Sequence, residues 1–269
     1  MAPRALSGGS ITFGLVNIPV KLYPAANPKA AISFKLLSKD GHRLKQQYVD
    51  PKKGDEVVPR SEMVKGYEIS KDRYLLFEPE ELSAVQEKST QEIEIDAFIP
   101  EDAVPRAYFD KTYYLGPDKG GARPYKLLAQ AMRKTKRCGL AKYAARGKQY
   151  LVLIAPAGEE AIALHQLHYP DELVDVADVP TGDAEPKDEE LALATQIIDQ
   201  IAKDRFQPEN YEDEVRKRIE ALIEKKAAGE PITAEAPEPE AAEAGVTDLM
   251  AQLKASLEKK PEKGEQAAS

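Results

Sequence analysis

The sequence predicts an α+β fold, strand-rich up to about residue 180 and helical beyond it, on three observations. Hydrophobic side chains recur at period two through the first part of the chain, the spacing changes to three and four after Pro180, and glycine turns separate the strands. With 269 residues, 42% of them hydrophobic, the chain is long enough to bury a substantial core.

Over residues 11–99 alternate side chains are apolar, the mark of strands with one buried face. Ile18, Val20 and Leu22 alternate with Asn17, Pro19 and Lys21, and Ile93, Ile95, Ala97 and Ile99 alternate with Glu94, Asp96 and Phe98. Pro19 has no N–H to give to a ladder, which predicts an edge or a bulge for its strand. Between these runs, residues 38–71 are polar and lysine-rich, with turn signals at Asp40-Gly41 and Lys53-Gly54, and read as an excursion from the sheet. An insertion this long with so little periodicity points to function.

A short strand over 111–115 leads into the turn 116–121. Leu127, Leu128, Ala131 and Met132 then give one buried face to a helix over about 123–136, which Gly139 is expected to stop. Strands over 140–146, 150–155 and 161–169 follow at meander spacing, with Gly147 and Gly158 in the turns. After Pro180, Leu191, Ala194, Ile198 and Ile201 mark one amphipathic helix. Val215, Ile219, Leu222 and Ile223 mark a second, after a break at Phe206-Gln207-Pro208. Residues 229–245, rich in Ala, Glu and Pro, read as a solvated linker. Beyond it Val246, Leu249, Met250, Leu253 and Leu257 form one stripe of a short helix, with Thr247 or Asp248 as its cap. That helix either docks on its own body or lies in a groove of another protein.

The net charge of -8 hides a segregation. Up to residue 150 there are 26 Lys and Arg against 18 Asp and Glu, and beyond it 12 against 28. A basic first part can hold an anion although the whole is acidic. The strongest local signal is residues 119–148, with ten Lys or Arg and no carboxylate. There Lys126, Arg133 and Arg137 fall near one line of the helix, with Lys134 beside them, while Lys142 and Arg146 share a strand face with Ala144. In the excursion Lys35, Arg43, Lys45, Lys52, Lys53, Arg60 and Lys65 form a second group, diluted by acids such as Asp50 and Glu56. Stems of this kind suit phosphate contacts, which need charge and no fixed fork against a base edge.

Catalytic and metal readings find little support. Gly9–Gly14 and Gly116–Gly121 have a G-x-x-x-x-G spacing, but Leu15 and Ala122 stand where a phosphate-binding loop needs lysine. His165 and His168, three apart in a strand, point to opposite faces, and no G-x-S-x-G is present. We therefore expect no catalytic residue, no metal and no cofactor. A single cysteine, Cys138, fits a reducing compartment. No apolar run is long enough for a bilayer and the first residues lack a signal-peptide pattern, so a soluble cytoplasmic protein without membrane contact is expected.

Residues 9–23, GSITFGLVNIPVKLY, closely resemble the opening of bacterial Ku proteins. Support comes from Val64-Lys65-Gly66-Tyr67-Glu68, from Tyr108-Phe109-Asp110-Lys111-Thr112-Tyr113-Tyr114-Leu115 and from Leu164-His165-Gln166-Leu167-His168-Tyr169. The resemblance implies a Ku-core β-barrel over residues 1–180 with a bridge at about 38–71, a helical dimerisation arm over 181–228, the linker, and a ligase-recruiting helix and tail over 246–269. It implies a homodimeric ring on double-stranded DNA ends, working in the bacterial nucleoid in double-strand break repair by non-homologous end joining. It further implies recruitment of an ATP-dependent DNA ligase of the D type through Val246, Leu249, Met250, Leu253 and Leu257. The C-x-x-C of some members is replaced here by Gln47-Tyr48-Val49-Asp50. A nuclease or ligase with an unrecognised site, and a sequence-specific regulator, are the competing readings.

Overall fold

A computed structural model describes residues 3–27, 30–86, 90–229 and 249–258. The chain divides into two compact units, Met1–Asp178 and Val179–Ser269. The first begins with β1 (Ser7–Phe13) and β2 (Val16–Pro24). A long insertion follows, with β3 (Val49–Asp50), β4 (Glu56–Val57), β5 (Lys65–Ser70), β6 (Arg73–Phe77) and α1 (Pro79–Val85). Then come β7 (Glu92–Pro100), β8 (Phe109–Pro117), α2 (Ala122–Thr135), β9 (Arg137–Ala145), β10 (Lys148–Ala157) and β11 (Ala161–Leu167).

Seven strands close into a barrel in the order β1-β2-β8-β11-β10-β9-β7. All neighbours are antiparallel except at the closing seam, where β1 pairs in parallel with β7 over only three residues, Ser10 to Thr12 against Glu92 to Glu94. Alternate side chains fill the interior: Ile11, Ile18, Val20, Ile93, Val152, Ile154, Ile162 and Leu164 are almost wholly buried. Each such aliphatic side chain contributes roughly 1.5–3 kcal/mol relative to exposure. One end is plugged by α2, whose Tyr125, Leu128, Ala129 and Met132 join that core. β10 is buried on both faces, because Leu153 and Ala155 point outward into a second cluster with Cys138 and Leu167, lined by Tyr108 and Phe109. There burial pushes the Cys138 thiol up to about 11.

Several expectations from periodicity need correction. Closure leaves β2 no edge, since β1 and β8 flank it. Pro19 is tolerated because the β8 ladder starts one residue later, at Val20 against Pro117. Its carbonyl accepts from the Asp118 N–H at 3.0 Å, so the missing N–H falls just past the end of β8. Ala97 is exposed instead of inward, because the register shifts between Ile95 and Ala97 and sends Ile99 to the outer cluster. The helix α2 ends at Thr135, capped by Lys136 in the left-handed region. Gly139 lies within β9, where a Cβ would stand 3.1 Å from the Ile95 Cδ1. Residues 25–91 separate β2 from β7, contain the expected bridge at about 38–71, and hold two small two-stranded sheets, β3-β4 and β5-β6.

The second unit contains α3 (Asp188–Ile201), α4 (Glu214–Ala227) and α5 (Leu249–Glu258). Asp213 caps α4 by accepting from the Arg216 N–H at 3.0 Å. α5 packs on α3, with half-buried Met250, Leu253 and Leu257 on one helix and Leu193, Ala194 and Ile197 on the other. Of the predicted apolar stripe of α3 only Ala194 is among these half-buried residues. Leu191, Ile198 and Ile201 are exposed, as are Phe206, Tyr211 and Val215.

Candidate nucleic-acid interface

The cations expected to meet an anion divide into two structural classes. On the barrel four of the six are engaged within the protein. Lys126 pairs with Glu160 at 3.2 Å and Lys142 with Asp96 at 3.0 Å. The Arg133 guanidinium donates to the carbonyls of Gly158 and Glu159, tying α2 to the β10–β11 turn. Arg137 donates to the Phe98 carbonyl at 3.1 Å. It is the first residue of β9, so it does not continue the helical line of Lys126 and Arg133. Lys134 and Arg146 have no such partner among the described residues.

In the insertion the balance is reversed. Lys35, Arg43, Lys45, Lys52, Lys53, Arg60 and Lys65 are all exposed, and among the described residues none has a carboxylate partner. Local structure holds them on short supports. Leu37 bridges to Arg43 around the Asp40-Gly41 turn. Asp50 accepts from the Lys52 N–H at 2.9 Å and starts the single helical turn Pro51–Lys53, which Gly54 ends in the left-handed region. Arg60 opens another such turn, Arg60–Glu62, and Lys65 opens β5. Exposed ion pairs are worth little and exchange readily for phosphate, so the paired lysines of the barrel are not lost to an anion. The unpaired ones of the insertion need no exchange at all.

Sequence reasoning puts residues 119–148 first because it counts acids along the chain. Asp96 and Glu160 lie outside residues 119–148 yet reach Lys142 and Lys126 across the fold. It also passed over the exposed aromatics of the β5-β6 ribbon, Tyr67 and Tyr74, which stand among Lys65, Lys71 and Arg73. Their signal in the sequence was a tyrosine interleaved with basic residues. Of the residues assigned to partner binding, Val246 lies outside the described residues. Met250, Leu253 and Leu257 face α3, and Leu249 remains half exposed.

Among the described residues no group of three or more His, Cys, Asp or Glu is placed to hold a metal ion. His165 Nδ1 is 2.9 Å from the Thr112 hydroxyl and His168 Nδ1 is 3.4 Å from Glu172. Among the described residues no helix is long and apolar enough to cross a membrane.

Known proteins agree with this architecture. A family model described as the Ku70/Ku80 beta-barrel domain matches residues 12–193. The non-homologous end joining protein Ku of Paraburkholderia phymatum is 43% identical over 258 residues, covering 96% of this chain and 83% of that protein. Proteins of the same name are 39% identical in Coxiella burnetii, over 97% of this chain and 96% of that one, and 41% identical in Archaeoglobus fulgidus, over 95% and 98%. A closed seven-stranded barrel carrying its insertion between β2 and β7, matched by the family model and by relatives of similar length, places the chain in the Ku family.

Proposed function

We propose that this protein binds the ends of double-stranded DNA in non-homologous end joining, as a homodimeric ring that reads no base sequence. The observation that carries the reading is the run of seven exposed cations on the insertion of a Ku barrel, none with a carboxylate partner among the described residues. Phosphate contacts from such stems give affinity by counterion release and no sequence preference. A ring adds selectivity for ends by geometry, since a duplex can enter it only where it terminates. Residues 181–228 serve as the dimerisation arm, and the exposed Leu191, Ile198, Ile201, Phe206 and Tyr211 supply the apolar surface a second copy would cover. No catalytic residue is assigned, and the site of action is the cytoplasm, at the nucleoid.

The test is a gel-shift series in which linear duplex competes with the same DNA as a covalently closed relaxed circle. The linear form should bind tightly and the circle should fail to compete. Equal competition by the circle would reject the ring. With about six phosphates neutralised, log affinity should fall against log salt with a slope near -5.

The same reading gives α5 the recruitment of an ATP-dependent ligase of the D type, through Leu249, Met250, Leu253 and Leu257, with Val246 ahead of them. Three of these side chains face α3, so recruitment exchanges an intramolecular contact for an intermolecular one. Leu253→Asp should leave the linear-duplex shift unchanged and abolish stimulation of end joining by the ligase. Loss of DNA binding in that variant would instead assign α5 to the folded body alone.

A further inference from the structure

The barrel has a plugged end and an open one. α2 fills the first. At the other, a cavity of about 260 Å³ is lined by Tyr113, Tyr143 and Tyr150 around an apolar floor that includes Val152 and Leu164, with Arg146 at its rim. We propose that this mouth binds a single nucleotide, with its base against the tyrosine rings and its phosphate on Arg146.

Four observations support this ligand class. First, the Tyr143 and Tyr150 rings lie 6.3 Å apart at an interplanar angle of 33° and offer aromatic surface, on which a base of any sequence stacks. Second, the lining is equipped for hydrogen bonding, because no phenol hydroxyl of the three tyrosines has a partner among the described residues. Gln166 uses its side-chain N–H on Asp110 at 3.1 Å and keeps its carbonyl oxygen.

Third, among the described residues Arg146 is the only charged one that lines the cavity, and its guanidinium has no partner there. It is the first residue of the two-residue turn Arg146-Gly147, which joins Ala145 to Lys148 with φ of 53° and 74°. A turn with both φ values positive favours Asn or Asp in that place. An arginine held there at a cost of about 1–3 kcal/mol is the kind of local strain that collects at ligand sites. Gln91, also lining the cavity, has φ of 56°.

Fourth, the mouth lies where the insertion leaves the barrel, after Pro24, and returns to it, at Gln91. The cavity is too small for a peptide or a duplex, and Leu22 and Gln91 of its lining flank the two ends of the insertion. One nucleotide could come from the unpaired terminus of a DNA end or from free mononucleotide. The first source rests on the DNA-end reading and the second does not.

The full-length protein is tested with three probes: a blunt duplex, the same duplex with a one-nucleotide 3′ overhang, and dAMP by equilibrium dialysis. A stacked terminal base should improve binding about tenfold over the blunt duplex. Ser7→Phe places a ring in the cavity without altering a charge and should remove that preference while leaving blunt-duplex binding unchanged. Arg146→Asn should also remove it, and this variant relieves the turn, so its melting temperature should equal or exceed that of the parent. An overhang preference without dAMP binding assigns the DNA terminus, and dAMP binding without the preference assigns the free nucleotide. The absence of both, or a preference that survives Ser7→Phe, overturns the proposal. Failure of the parent protein to bind blunt duplex would reject the DNA-end reading and leave the dAMP measurement to decide on the pocket.

Discussion

Replacing Tyr125 by Phe is expected to lower the stability of the barrel unit by about 3 kcal/mol, since it strips two buried polar groups of their partner at about 1–3 kcal/mol each. The Tyr125 hydroxyl donates to the Leu115 carbonyl at 2.6 Å and accepts from the Ile162 N–H at 2.8 Å. Leu115 and Ile162 are opposed residues of β8 and β11, so the phenol stands between two strands that splay apart at the end α2 plugs. Phe keeps the ring and its packing against the core and deletes only that bridge. For a unit of this size the melting temperature should fall by roughly 6–12 °C, at about 2–4 °C per kcal/mol. A change below about 2 °C would mean that the strands close on each other directly, and that the hydroxyl separates them without holding them.

Gly9→Ala is expected to cost about 2–3 kcal/mol, as forced overpacking does, and to act at one place in the barrel. A Cβ at position 9 would stand 2.3 Å from the Gln91 carbonyl oxygen, a backbone atom that cannot rotate away. That oxygen accepts from the Ser10 N–H at 3.3 Å, and the Gln91 N–H donates to the Ala144 carbonyl at 3.0 Å, so Gln91 pins β1 and β9 together at the seam. Because β1 and β7 pair over only three residues, a displaced Gln91 leaves little to hold the closure. Amide hydrogen exchange should accelerate at Ile11 and Ile93 before Val152 and Ile154. Uniform acceleration across the barrel would show that the seam opens only with global unfolding.

Strand periodicity located the barrel well where one face is buried, as at Ile18, Val20, Ile93 and Ile95. It failed where tertiary context decides. Nothing local to Ala97 announces the register shift that turns it outward, and nothing local to Lys136 announces that a lysine, instead of Gly139, adopts the left-handed cap. On α3 the aliphatics extend beyond the predicted stripe, with Leu193 and Ile197 half-buried and Leu191, Ile198 and Ile201 exposed. Only the contact with α5 distinguishes them. The ion pairs of the candidate interface were not legible, since the partners of Lys126 and Lys142 lie 34 and 46 residues away in the chain.

The barrel order also has a consequence for biosynthesis. β1 and β2 emerge first, but β2 needs β8 and β1 needs β7, and the sheet is not complete until β11 leaves the ribosome. At about 5–20 residues per second, the interval from Pro24 to Leu167 lasts roughly 7–30 s, during which the amino-terminal hairpin waits as an unpaired ribbon. A nascent chain arrested before residue 161 should therefore expose Ile11, Ile18 and Val20 to proteases and chaperones, and only translation past β11 should bury them.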